Sequence, residues 1–183
     1  SFAGWNFLGT NAFVVSQNCI NMVLNFFGGP VVNAARGIAY QVNAAVMQFI
    51  NNVVIVVNPY CIKKYAEGNH SKAMDAILMS SKLIFTIQLC VSIPLVFFAQ
   101  PLLSFWLGDV PEYSVDFVKL VLLYSIIRSL HPSIDVWFKA VGNINFYQIF
   151  EGIMLLLPIP FSYFALKFGA TYNFVFFLVA VFE

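Results

Sequence analysis

The 183-residue chain is 61% hydrophobic and 17% aromatic but only 9% charged, with a mean hydropathy of +0.84. Soluble domains carry about a quarter charged residues, so this chain has too few charges to cover a globule, and the bilayer must be its solvent. A net charge of +1, from nine Lys and Arg against eight Asp and Glu, excludes a basic surface for nucleic acid and an acidic tail for a soluble partner.

Gly, Pro, Asn and charge clusters divide the chain into apolar segments, each but the last long enough for the ~20 residues that span about 30 Å of hydrocarbon. Lipid offers no partners for free backbone groups, so runs of this length form helices rather than barrel strands of ~10 residues. The expected fold is an all-α integral membrane bundle of six transmembrane helices over residues 2–26, 31–57, 71–98, 114–139, 144–168 and 171–183. The last is truncated, and with Ser1 rather than Met at the start the sequence reads as a fragment of a longer polytopic protein. Cys19, Cys61 and Cys90 lie singly in apolar stretches without CxxC or Cys/His spacing. They read as small core residues, and neither a metal site, a disulfide framework nor a cofactor follows from them.

In the first helix Asn11, Asn18, Asn21 and Asn25 recur at steps of seven, three and four, with Gln17 beside them. In the second, Asn33, Arg36, Tyr40, Asn43, Met47 and Asn51 share one face and form a stripe ~27 Å long at 1.5 Å per residue. Ala34, Ala35, Ala39, Ala44 and Ala45 give that helix small residues for close packing inside the bundle. The stripe has two readings: one wall of a cavity, or interhelical hydrogen-bond glue. Arg36 likewise reads either as a contact inside the bundle or as an arginine that snorkels to lipid phosphate near a helix start at Pro30.

The second-to-third connection carries Lys63, Lys64 and Lys72, with Lys82 just beyond, whereas the third-to-fourth carries Asp109, Glu112 and Asp116. Positive residues mark the cytoplasmic side, which puts Ser1 and the Lys63–Lys72 loop there; Lys167 falls outside, as the one discordant charge. On the fourth helix Arg128, His131, Asp135 and Lys139 follow one face, and Pro132 removes a backbone bond in the same stretch. A charge near mid-bilayer costs about 2.5 to 3.5 kcal/mol on insertion scales, so Arg128 and Asp135 should be paired with each other or face water. His131 reads as a hydrogen-bonded core residue or as a proton-responsive one. The fifth helix adds Glu151, with no cation within a turn, and the helix-distorting Pro158-Ile159-Pro160.

The strings GPVVNAARGIAYQVNAAV, NPYCIKKYAEGN and FAGWNFLGTNAFVVSQN resemble the bacterial polysaccharide flippases, the O-antigen (Wzx-type) translocases. These belong to the multidrug, oligosaccharidyl-lipid and polysaccharide (MOP, MATE-like) exporter superfamily. The likeness is carried by residues 2–69, and the remainder follows by spacing and hydropathy. The resemblance implies two six-helix lobes around a central cavity, with this fragment as the C-terminal lobe, helices seven to twelve. It implies movement of an undecaprenyl-diphosphate-linked oligosaccharide across the bacterial inner membrane, with H+ or Na+ as the coupling ion. Under it, Arg36 and Arg128 face the lumen and attract the diphosphate, Asn33, Tyr40, Asn43, Asn18 and Asn21 meet sugar hydroxyls, and Asp135, Glu151 and His131 serve ion coupling. Two rivals stay open: a cation-coupled multidrug exporter of the same fold, and a membrane enzyme acting on lipid-linked sugars. The first wants an acidic cavity, and the second wants a large extramembrane loop or a carboxylate and metal constellation.

Overall fold

The computed structural model describes residues 2–141 and 144–182, with side chains at 11–138, 141, 147–179 and 181–182. It is all-helical among these residues, with α1 (Phe2–Ala66), α2 (His70–Phe97), α3 (Ala99–Leu107), α4 (Ser114–Arg128), α5 (His131–Val141), α6 (Ile144–Leu156), α7 (Pro158–Lys167) and α8 (Tyr172–Phe182). Four stretches are long and apolar enough to cross a membrane: Asn11–Ala66, His70–Phe97, Ser114–Phe138 and Tyr147–Lys167. The protein is a multi-pass membrane protein.

The α1 segment folds back on itself at Gly29, whose backbone is non-helical (φ 69°, ψ −168°). Residues 2–28 form its first arm and residues 30–66 its second. Glycine reaches this backbone region without strain, and Pro30 follows with a φ already suited to a first helical turn. A Cβ on neighbouring Gly28 would stand 2.7 Å from Val32 Cγ2 and 3.0 Å from Tyr172 Cε1, so the two arms and α8 meet too closely there for a side chain. The Tyr172 hydroxyl donates to the Phe27 carbonyl at 3.1 Å and ties α8 to the same turn.

From this end the second arm runs past residue 57, where the sequence suggested a stop, to Ala66. At 1.5 Å per residue its 37 residues (30–66) reach about 55 Å, well beyond the hydrocarbon thickness. It carries Pro59 inside the helix, and Lys63 and Lys64 in its last turn. The Lys64 ammonium holds the Glu67 carboxyl below the usual carboxylate range, a surface effect of little energetic weight. Asn69 caps α2 by accepting from the Lys72 amide at 3.3 Å.

The short α3 has no counterpart among the expected elements. It turns off α2 at Phe98 and exposes Phe105 and Trp106 at the end of the bundle that holds Gly29. The helix expected over 114–139 is broken at Ser129–Leu130, where the Leu130 amide reaches Ile127 O at 3.3 Å instead of keeping the α-helical spacing. Pro132 explains the break, because its ring clashes with the carbonyl four residues back, that of Arg128. The helix expected over 144–168 is likewise divided, into α6 and α7, before Pro158.

The main core joins Ile20, Leu24, Val32, Ala35, Ala39, Val42 and Val46 of the two arms to Leu103 of α3, Phe117, Val118, Val121 and Leu122 of α4, and Val175 and Phe176 of α8. Phe117 stacks on Phe176 with ring centroids 4.0 Å apart. A smaller cluster at the lysine-bearing end joins Cys61, Ile77 and Val136, with Tyr65 edge-on to Trp137 at 5.6 Å.

Two expectations about small residues need correction. Ala35 and Ala39 are buried as close-packing residues, but Ala34, Ala44 and Ala45 are exposed, because the buried face of the second arm runs through Val32, Ala35, Ala39, Val42, Val46 and Ile50. Cys61 is buried and Cys19 half-buried, yet Cys90 is exposed, so burial of all three does not hold. A buried polar tie, invisible in the sequence as a lone glutamine, joins α2 to α4: Gln88 Nε2 donates to Ser125 Oγ at 2.5 Å and Ser92 Oγ at 3.0 Å, while its Oε1 has no partner. Interhelical hydrogen bonds in membranes average about 0.6 kcal/mol, and the orphaned oxygen offsets part of that. Gln88→Leu is therefore expected to shift unfolding free energy by less than about 1 kcal/mol, measured by denaturant unfolding in micelles; a larger loss would identify the tie as a principal clamp.

Candidate functional site

The fold-back at Gly29 sets the second arm antiparallel against the first and aims Arg36 at it. Arg36 is only 4% exposed. Its Nη1 donates to Asn21 Oδ1 and, at 3.4 Å, to the Gln17 carbonyl, while Nη2 donates to Gln17 Oε1. The guanidinium carbon lies 4.7 Å from the Tyr40 ring centroid, a cation–π contact one turn along the same arm. An arginine held this way does not snorkel to lipid phosphate, and the structure removes that reading. Among the described residues, every partner of this permanent cation is neutral.

Arg128, the last residue of α4, also turns toward the first arm. Its Nη1 donates to Tyr124 Oη at 3.0 Å, and its guanidinium carbon lies 5.8 Å from the Phe13 ring centroid. Phe13, Gln17 and Asn21 follow one another at steps of four, so they form one face of the first arm. Both arginines therefore address a single face over about 12 Å of helix length.

The remaining members of the polar stripe divide. Asn33, Tyr40 and Asn43 are half-buried, and Asn43 Oδ1 is enclosed without a hydrogen-bond partner, while Asn18 and Asn51 are exposed. On the opposite flank of the second arm lies an apolar groove of about 380 Å³, lined by Val42, Phe49, Val91 and Trp106 among others. Polar and apolar functions of this arm are thus kept on separate faces.

A second cluster forms where α5 meets α6. His131 opens α5 directly after the break, and its Nε2 lies 3.0 Å from Glu151 Oε1 and 2.6 Å from the Tyr147 hydroxyl. Tyr147 and Glu151 are one turn apart on α6, and Phe138 stacks on Tyr147 at 4.6 Å. Asp135, one turn after His131, is half-buried. The cluster borders a cavity of about 150 Å³ lined by His131, Tyr147, Phe150, Glu151 and Met154 with two apolar neighbours. Glu151, the one charged residue in the sequence of its own helix, thus gains an imidazole partner from another. Lys139, expected on the same face as Arg128 and Asp135, has its side chain outside the described residues.

Sequence spacing put Arg128, His131 and Asp135 on one face but gave no sign of Tyr124, Tyr147 or Phe13, because aromatic residues are indistinguishable from lipid-facing ones in so apolar a chain. The α6 helix also packs on the first arm. Ser16 donates to the Leu155 carbonyl, and a Cβ on Gly152 would stand 3.7 Å from that of Ala12. The first arm is thereby the element against which the second arm, α4 and α6 all present polar groups.

The family model described as MatE matches residues 7–164, most of the chain. Neither curated proteins nor solved structures yield a match.

Proposed function

The chain belongs to the MatE family of membrane transporters, and we propose that its cargo is an undecaprenyl-diphosphate-linked oligosaccharide, carried from the cytoplasmic to the periplasmic leaflet of a bacterial inner membrane. In this reading the chain is the C-terminal lobe, helices seven to twelve, with the Lys63–Lys72 end cytoplasmic. One observation carries it: Arg36 is a buried cation whose hydrogen-bond partners among the described residues are all neutral oxygens. Burial of charge is costly unless an opposite charge compensates it, and guanidinium binds phosphate oxygens through paired donors. A lobe built to accept a cationic drug has no use for that arrangement. Arg128 supplies a second cation along the same face of the first arm, and Asn18, Asn21, Asn33, Tyr40 and Asn43 supply amide and hydroxyl groups for sugars.

The test is transport by the full-length protein in proteoliposomes. A fluorescent lipid-linked oligosaccharide is expected to reach the opposite leaflet, and a cationic dye is expected not to be exported. Dye export without sugar flipping would establish the multidrug exporter instead.

Ion coupling is assigned to Glu151 and His131, with Asp135 one turn away. A single imidazole nitrogen serves both a carboxylate and a phenol, so moving one proton reorders both contacts. Glu151→Gln keeps an acceptor for His131 but cannot ionise. It is expected to flatten the dependence of transport on pH between about 5 and 8. A retained wild-type profile would remove Glu151 from the coupling mechanism.

A further inference from the structure

We infer that Gln17 and Asn21 form a displaceable neutral cap on Arg36, occupying the donors that a diphosphate would use and yielding them when it arrives. The inference rests on the reading of Arg36 as the anion contact and adds how that contact is kept closed. Gln17 contributes two oxygens, its carbonyl and Oε1, and Asn21 one turn later contributes Oδ1. Together they engage both Nη groups, the pair that takes hold of an oxyanion in bidentate fashion. An anion gripped through both Nη groups therefore competes with the cap.

The energetics favour exchange. Amide oxygens accept from both Nη groups but leave the charge uncompensated, whereas bonds between two ionised groups are about twice as strong as neutral ones. Two of the three cap oxygens sit on side chains, so they can leave by side-chain rotation with no movement of the arm. Tyr40, 4.7 Å from the guanidinium, keeps the cation in place while its acceptors change. Without the cap, the buried charge in the unloaded protein would stand open to any small anion. With it, only a ligand that supplies several oxygens at once replaces both side-chain contacts, which favours a diphosphate over chloride.

The experiment is isothermal titration of the full-length protein in nanodiscs with inorganic pyrophosphate, alongside thermal melting. Gln17→Glu places a carboxylate on the guanidinium, so it is expected to weaken pyrophosphate binding at least about tenfold without lowering the melting temperature. Asn21→Ala removes one competing acceptor and is expected to tighten binding by about threefold or more. Gln17→Glu binding with wild-type affinity would overturn the cap, and Asn21→Asp replaces it if that variant does not fold. The Arg36→Ala arm separates the two ideas. If Arg36→Ala loses binding while the acidic variant binds normally, only the cap falls. If Arg36→Ala binds as well as the wild type, or the wild type binds no pyrophosphate, the anion-contact reading falls with it.

Discussion

Gly29→Ala is expected to destabilise the folded protein by about 1–3 kcal/mol, the cost of holding a residue with a Cβ in a sparsely populated backbone region. The conformation at issue, φ 69° with ψ −168°, is essentially reserved for glycine. It is also the point on which the two arms reverse direction, so relieving the strain by backbone adjustment would splay them. That movement would part Arg36 from Gln17 and Asn21 and draw Phe27 away from Tyr172. The internal control is Gly37→Ala on the second arm. No atom lies within 4 Å of a Cβ there, and alanine is favoured over glycine in helices by up to about 1 kcal/mol. Thermal melting in detergent should therefore separate the two alanines in opposite directions. Equal melting temperatures would show that the turn tolerates a Cβ and that the arms are held by packing alone.

The fold-back itself was visible as Gly28-Gly29-Pro30 between two apolar runs, because glycine and proline act on the backbone directly. The extension of the second arm to Ala66 was not. Asn58-Pro59 and the lysines that follow read as a loop, yet a helix leaving the membrane keeps its internal hydrogen bonds and loses only the one proline cannot make. Helix α3 was hidden for a different reason: its nine residues are apolar but far too few to span, so hydropathy merges them with α2. Pro132 read as removing one backbone bond from a continuous helix over 114–139, whereas the helix breaks at Ser129–Leu130, because proline acts on the carbonyl four residues behind it.

The site was legible as faces and not as partners. Helical spacing assigns Asn33, Arg36 and Tyr40 to one stripe, and it assigns Gln17 and Asn21 to one face of the preceding arm. It does not say that these faces meet, since that depends on the rotation of each arm about its axis. His131 and Glu151 show the same limit. They lie twenty positions apart on different helices, and only packing of α5 on α6 brings Nε2 to 3.0 Å from the carboxylate. Gln88 gave no signal, because one polar residue in an apolar helix forms no stripe.

Arg36→Met is expected to leave the folded protein as stable as the wild type or more so, while cutting transport of the lipid-linked sugar at least about tenfold. The two readouts oppose each other because the same burial governs both. A buried charge without an opposite charge costs folding energy, and methionine fills a similar length with an adaptable apolar chain. Gln17 and Asn21 lose the guanidinium as a donor, but both are half-buried and can turn their amides elsewhere, which limits the penalty. Transport has no such compensation, since the lost guanidinium is the group proposed to engage the diphosphate. Arg36→Lys should lie between: it retains the charge, but a compact ammonium cannot span Gln17 and Asn21, nor grip an oxyanion with paired donors. Melting temperature and flipping rate per folded molecule, measured on the same preparations, decide the matter. If methionine lowers the melting temperature and leaves the flipping rate intact, Arg36 is a pin between the two arms. If stability holds and flipping fails, the structure has kept an energetically costly cation in its interior because the cargo needs it there.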